Sequence, residues 1–321
     1  MKTFVRVRKR LFLISRYLEY KVARSVAPKR VKELIRQARA SLLNIRAQQR
    51  RIDGLAASVA RIVYAAVSAE DSETQGINNY ELKVQSQNGE DGILLFIFSR
   101  VGGTNCRFVE FGVGDGRECN TANLSLNFGW SGLLMDAEER NVAAATKYYE
   151  SQLKVRANAV KVVKCLVTAE NIDKILSVNG VHGEIDLLSI DIDGNDYWVW
   201  EAITVINPRV VVIEYNASFG KESVTVKYDP NFDRFKKHPT GFYHGASLSA
   251  LTKLANSKGY ILVGCESNGV NAFFVRQDVA HNRLFETSVD QAFFSATFRP
   301  EWLTVTELFE ILSNLELVHV K

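Results

Sequence analysis

The chain has 321 residues, 46% of them hydrophobic, and a formal net charge of +4, which suits one large domain with a full core plus an appendage. That small total conceals two regions: residues 1–70 hold 17 Lys and Arg against 4 Asp and Glu (+13), and residues 71–321 hold 23 against 32 (−9). No apolar run approaches the ~20 residues of a membrane span, Leu11–Ile14 is too short for a signal-peptide core, and Cys106, Cys119, Cys165 and Cys265 are scattered, so a membrane span and a cysteine metal site are set aside, the thiols are expected buried and the protein cytoplasmic.

In residues 1–28, Phe4, Val7, Leu11, Phe12, Ile14, Leu18 and Val22 are mixed with Arg and Lys. That composition predicts a basic amphipathic helix, suited to an anionic membrane surface or to covering its own domain. Nucleic acid is the less favoured partner, because no recognition motif accompanies the charge. Over residues 29–67, Val31, Ile35, Ala38, Leu42, Ile45, Gln49, Ile52, Ala56, Val59, Val63 and Ala66 alternate steps of four and three. This period of 3.5 predicts a coiled coil and a homo-oligomer, with Gln49 as a polar register position. One amphipathic helix packed on its own domain is the alternative. The polar residues 68–80 read as a linker.

Residues 81–280 alternate strand and helix patterns. Ser86-Gln-Asn-Gly-Glu-Asp91 is a loop and cap before a helix at 92–100. Phe108–Phe111 reads as a buried strand, and Gly112, Gly114 and Gly116 follow at alternate positions. A glycine turn leaving a strand lets backbone approach a ligand that side chains would repel. The spacing is not that of a dinucleotide fingerprint, no P-loop lysine follows, and Glu110 and Asp115 disfavour a phosphate. S-adenosylmethionine fits, with its sulfonium and ammonium. A helix at 119–127 precedes Ser131-Gly-Leu-Leu-Met-Asp136, a second strand ending in a carboxylate. Asp136 stands where an acidic side chain accepts ribose hydroxyls, and Ala137 follows it.

Further strands are expected at 160–166, 184–192 and 209–215, and helices at 138–152, 170–178, 196–205 and 247–258. Such alternation makes a parallel sheet with crossover connections. Tyr260–Cys265 and Val270–Arg276 are separated only by Glu266-Ser-Asn-Gly269. So short a turn joins antiparallel neighbours, so the last strand is reversed. Residues 281–321 are read as a C-terminal helical extension.

Leu187-Leu-Ser-Ile-Asp-Ile-Asp-Gly-Asn-Asp196 runs a buried strand into three carboxylates. Asp191 and Asp193 share a face if the strand continues that far, and Glu214 and Asn216 share one on the next strand. Asp191, Asp193, Glu214 and Asn216 would then offer oxygen ligands to Mg²⁺ or another divalent cation. The alternative is that Asp196 caps a helix and Asp193 holds a turn. The connection 217–246 is long enough to act as a lid. In it, His244 is the candidate general base, beside Asp191, and Tyr228, Phe232 and Tyr243 are candidates for stacking on a sugar ring.

The motifs SQNGEDG, FVEFGVGDG, LLMDAEE, LLSIDIDGND and VVVIEYNASFG, in this order, resemble an FkbM-type methyltransferase, a branch of the class I S-adenosylmethionine-dependent enzymes. The resemblance covers about residues 80 to 280. The family's usual K-I-D-x-E-G stands here as Ser189-Ile-Asp-Ile-Asp-Gly194. The resemblance implies a Rossmann-like α/β sheet of seven strands with the last antiparallel. It implies methyl transfer to oxygen on a sugar or polyketide-derived hydroxyl, often in surface-polysaccharide pathways. It also implies that Glu110, Gly112, Gly114 and Gly116 hold the methionine part of the cofactor and Asp136 the ribose, with Gln87 and Glu90 nearby. A saccharide or glycolipid precursor is the expected substrate. A nucleic-acid or protein methyltransferase and a non-catalytic coiled-coil assembly protein are the rivals. Against the first, no Asn/Asp-Pro-Pro-aromatic run follows the fourth strand and no Pro-Cys nucleophile is found.

Overall fold

The apolar runs after Cys106 build one sheet because Val, Ile, Leu and Phe suit a pleated surface buried on both faces. The computed structural model describes residues 76–297 and 304–321, together with Gly54, Ser58, Arg61 and Tyr64. The predicted basic helix, the predicted coiled coil apart from those four positions, and residues 68–75 of the linker lie outside the described residues. The second of the chain's two compact units, residues 57–321, holds the sheet. Arg61 donates to the Asn127 carbonyl at 3.2 Å, and the Tyr64 ring meets Phe128 edge-on at 5.6 Å. Neither residue belongs to the predicted seam.

In chain order the elements are α1 (Glu90–Val101), β1 (Arg107–Phe111), α2 (Ala122–Phe128), β2 (Ser131–Asp136), α3 (Glu139–Leu153) and β3 (Val160–Lys164). Then come α4 (Ile172–Val178), β4 (Gly183–Ile190), α5 (Asp196–Ala202), β5 (Ile206–Glu214), β6 (Val224–Val226), α6 (Arg234–Lys237) and α7 (Leu248–Ser257). The chain closes with β7 (Tyr260–Cys265), β8 (Asn271–Arg276), α8 (Gln277–Ala280), α9 (Val289–Ala292), α10 (Val305–Ser313) and β9 (Leu317–His319).

The seven-stranded sheet has the order β3-β2-β1-β4-β5-β8-β7. Its first five strands are parallel, and β8 runs antiparallel to both β5 and β7. The reversed strand follows from the four-residue turn 266–269, where the Glu266 carboxylate accepts from the N–H groups of Asn268, Val270 and Asn271. Strand order reverses at β1 and β4, which opens a crevice at their carboxyl ends. Alternate residues serve opposite faces: Val109, Phe111, Leu188 and Ile190 join one core cluster, Phe108, Leu187 and Val210 the other. Cys119 and Cys265 are buried as expected, whereas Cys106 is exposed.

The strands β3 and β4 are shorter than their apolar runs suggest. β4 stops at Ile190, so Asp191 and Asp193 leave the sheet, and the alternation that would align them lapses. The segment 281–321 holds α9 and α10, but it also ends in a strand. β9 pairs antiparallel with β6 inside the long connection, Val224 opposite His319 and Val226 opposite Leu317. Phe219, Val224, Val226, Tyr243, Leu308 and Leu312 form a third apolar cluster beneath this pair. The lid is therefore a small subdomain rather than a bare loop.

Candidate active site

The glycine turn after β1 sits at the reversal point. Gly112 has φ +73°, and a Cβ there would lie 1.6 Å from the Asp191 carbonyl oxygen, so only glycine lets the two loops touch. Gly114 has φ +56°, and a Cβ there would meet nothing within 4 Å. That open side is a cleft lined by the turn itself, Gln87, Glu110, Asp115, Glu118, Cys119, Asn120, Asp191 and Asn271. Its ionisable oxygen groups are all carboxylates, so its field suits a cation.

Two buried carboxylates brace this turn. Asp136 accepts from the N–H of Gly114 at 2.8 Å with one oxygen, and from Glu138 N–H and Asn141 Nδ2 with the other. A carboxylate offers about four acceptor sites, so Asp136 keeps one in reserve. Glu110 accepts from Asn120 N–H, Thr121 N–H, Thr121 Oγ1 and Ser189 Oγ. All four of its sites are filled, and burial pushes its pKa up against those hydrogen bonds.

Beyond Asp191 lies a second polar group. Asp193 has φ +58°, a left-handed conformation that Asp tolerates better than most residues. Asp196 accepts from the N–H groups of Ile192 and Gly194 and so fixes that turn. The Glu214 carboxylate at the end of β5 and the His244 imidazole are 3.5 Å apart without a hydrogen bond. His244 is 2% exposed, and neither ring nitrogen nor Glu214 Oε2 has a hydrogen-bond partner among the described residues. Burial, then the Arg234 charge, lowers the His244 pKa to about 3, so the imidazole is neutral at pH 7. Burial first, then neighbouring carboxylates, push Asp191 and Glu214 well above the usual carboxylate range. Burial also raises Asp196, to about 6. Arg234 pairs with Asp193.

The family model for the FkbM methyltransferase domain matches residues 70–262, more than half the chain. The chain belongs to the FkbM methyltransferase family. It is therefore an S-adenosylmethionine-dependent methyltransferase of that type, and its sheet order is that of the class I fold. No curated protein matches it. Among solved structures, magnesium protoporphyrin IX methyltransferase from Synechocystis PCC 6803 with bound S-adenosylmethionine is 13% identical, with 58% of this chain and 77% of that one covered and a TM-score of 0.36. An O-methyltransferase family protein from Burkholderia thailandensis is 13% identical, with 84% and 70% covered and a TM-score of 0.37. An S-adenosylmethionine-dependent methyltransferase from Clostridium acetobutylicum ATCC 824 is 10% identical, with 57% and 89% covered and a TM-score of 0.36. Likenesses this faint carry nothing about the acceptor.

The methyltransferase brings some predicted site residues together and disperses others. Gln87, Glu110, Gly112, Gly114, Asp115 and Asp191 line one cleft. Gly116 closes the turn with its N–H on the Val113 carbonyl, and Ala137 is exposed after Asp136. Glu90 is fully buried beneath the cleft, where it accepts from Asn88 and from Asn271 Nδ2 at 2.8 Å.

Asn216 is not free to bind a cation. Its amide donates to the Phe242 and His244 carbonyls, and its oxygen accepts from Ser218 N–H, so it ties the lid to β5. The expected aromatic platform is also used internally. Tyr243 is buried, stacks on Phe232 and donates to the Glu316 carbonyl, while Phe232 packs against Gly194. Tyr228 donates to Glu170 and meets Trp198 edge-on. Sequence reasoning missed Glu118, Asn120 and Asn271 in the cleft. Asn271 was within reach of it: the reversed strand sets this residue opposite Glu214.

Proposed function

We propose that this methyltransferase acts on a hydroxyl oxygen of a saccharide or glycolipid precursor. Bound S-adenosylmethionine supplies an electrophilic methyl group on sulfur. The residues of the cleft fit that cofactor: the space at Gly114 admits a ligand, the lining carboxylates favour a cation, and Asp136 keeps an acceptor site for a ribose hydroxyl. Asp115 and the turn's backbone would hold the methionine end. Glu110 supports that turn from beneath.

One observation carries the choice of oxygen. Asp191 lines the cofactor cleft and also lies within 4.8 Å, atom to atom, of Asp196 and Glu214. A group that takes up protons thus adjoins the place where the methyl is delivered. A hydroxyl must lose its proton as it is methylated, whereas a neutral amine can attack the methyl carbon first and be deprotonated later. Asp191 would take up that proton by its position at the border of the cleft, and His244, held neutral, would orient the acceptor from the lid. Between Ile190 and Asp196 stands Asp-Ile-Asp-Gly-Asn, with none of the Asn/Asp-Pro-Pro-aromatic character expected for a base amino-methyltransferase.

Among the described residues no helix is long and apolar enough to cross a membrane. The test is methyl transfer from labelled S-adenosylmethionine to lipid-linked and nucleotide-linked sugars. Label in a sugar ether that Asp191→Asn abolishes is the expected result. Label in protein or nucleic acid, with none in sugars, would overturn the reading.

A further inference from the structure

Three side chains meet where the lid closes on the sheet: Asp193 from the turn after β4, Glu214 from the end of β5 and His244 from the lid. One potential ligand atom from each lies within 4.8 Å of the others. An acidic cluster alone would mean little. Here it is joined by a histidine 2% exposed whose two ring nitrogens lack any hydrogen-bond partner among the described residues, with Glu214 Oε2 in the same condition. Buried polar atoms are rarely left so, because each forfeits its water without replacement.

Charge points the same way. Facing this spot are Asp191, Asp193 and Asp196 after β4, Glu214 on β5 and, further back, Glu110 on β1. The facing cation among the described residues is Arg234 on α6, already paired with Asp193 and donating to the Gly241 carbonyl. Arg234 is thus held by the chain itself, and Glu214 Oε2 and the His244 ring nitrogens are left without a partner among the described residues. The sequence pattern suggested an all-oxygen set for Mg²⁺, with Asn216 as a member. The folded chain removes Asn216, which holds the lid, and puts an imidazole in its place.

We infer that Asp193, Glu214 and His244 form a binding site for a first-row divalent cation of the Mn²⁺ to Zn²⁺ series. Two carboxylates and a neutral imidazole match the ligand preferences of that series, whereas Ca²⁺ and Mg²⁺ favour oxygen alone. The bound cation ties the β4 and β5 ends to the lid, beside Asp191. A hydroxyl coordinated there loses its proton more readily. Only this last use rests on the methyl-transfer reading; the site itself stands on the geometry.

The experiment is titration of the full chain with Mn²⁺ alone, followed by loss of the free-ion electron paramagnetic resonance signal, without cofactor or acceptor. One Mn²⁺ per chain is expected. His244→Ala and the isosteric Glu214→Gln should each weaken it by roughly 10-fold or more. Arg234→Met, which frees Asp193, should tighten it, an effect that a merely structural arginine would not produce. No saturable binding up to about 1 mM overturns the proposal. So does Mn²⁺ binding that His244→Ala leaves unchanged, with Ca²⁺ bound equally well, because the site is then the all-oxygen set Asp191, Asp196 and Glu214. Methyl transfer that persists under chelation, with no Mn²⁺ bound, sinks the cation and leaves the enzyme reading intact.

Discussion

The two halves of the crevice differ in how their polar groups are satisfied. On the glycine-turn side, Glu110 fills its acceptor sites and Asp136 nearly does, all with donors from the chain itself, while Asn271 Oδ1 in the cleft lining is without a partner among the described residues. On the lid side, Glu214 and His244 carry buried atoms with no partner among the described residues. Carboxylates that are complete or nearly so without ligand, as Glu110 and Asp136 are, pre-organise the turn and contribute geometry. A half left incomplete is shaped for something that arrives, at a cost in the free protein's stability. Cofactor grip and acceptor chemistry are thus separated along one sheet edge, with Asp191 at the border.

The largest expected effect tests the glycine turn. Gly112→Ala forces a Cβ into the Asp191 carbonyl at a positive φ. Overpacking and left-handed strain together should destabilise the protein by about 3 kcal/mol or more, read from the urea midpoint. A loss below about 1 kcal/mol would mean that the two loops do not touch as described.

Asp91 sharpens the contrast through pH. One of its oxygens accepts from Val84, Gln85 and Ser86 N–H and from Ser86 Oγ, while the other has no partner among the described residues. Burial dominates and raises its pKa from 3.8 to about 6. The folded state therefore keeps a proton that the unfolded chain releases, so stability falls as pH rises from about 4 to 6 and levels off above. The expected loss is about 3 kcal/mol, and Asp91→Asn, which keeps the acceptor oxygen, should lack it. Equal pH slopes for parent and variant in chemical denaturation would contradict this.

Asp136→Ala should weaken S-adenosylmethionine binding by about 1–3 kcal/mol in calorimetry, through the lost ribose partner and the loosened Gly114 N–H. Unchanged affinity would remove Asp136 from the cofactor site. The smallest effect is expected in the lid. Tyr243→Phe loses the hydrogen bond to the Glu316 carbonyl and should cost about 1 kcal/mol of stability. Cofactor affinity should stay as it was, and a fall in it would tie the lid cluster to the glycine-turn side.

The sheet was legible in the sequence because its runs are apolar and its punctuation is glycine and carboxylate. Even the reversed strand followed from one four-residue turn. The β6–β9 pair was not, since two three-residue strands far apart in sequence leave no period to read. At the site, legibility tracked the backbone. Gly112, Gly114 and Asp136 are positions that the chain path itself requires, and they come together. Asp193 and Asn216 were placed by strand alternation, which fails where β4 ends at Ile190 and β5 at Glu214. His244 was visible as a histidine in a long connection, but its burial depends on a lid whose core is completed by α10, beyond residue 304.

The most direct measurement is calorimetric titration of the full chain with S-adenosylmethionine. Saturable one-to-one binding that Asp136→Ala weakens and Tyr243→Phe does not is the expected result. A folded chain that takes up no cofactor would contradict the central claim that the glycine turn at the reversal point is a cofactor site.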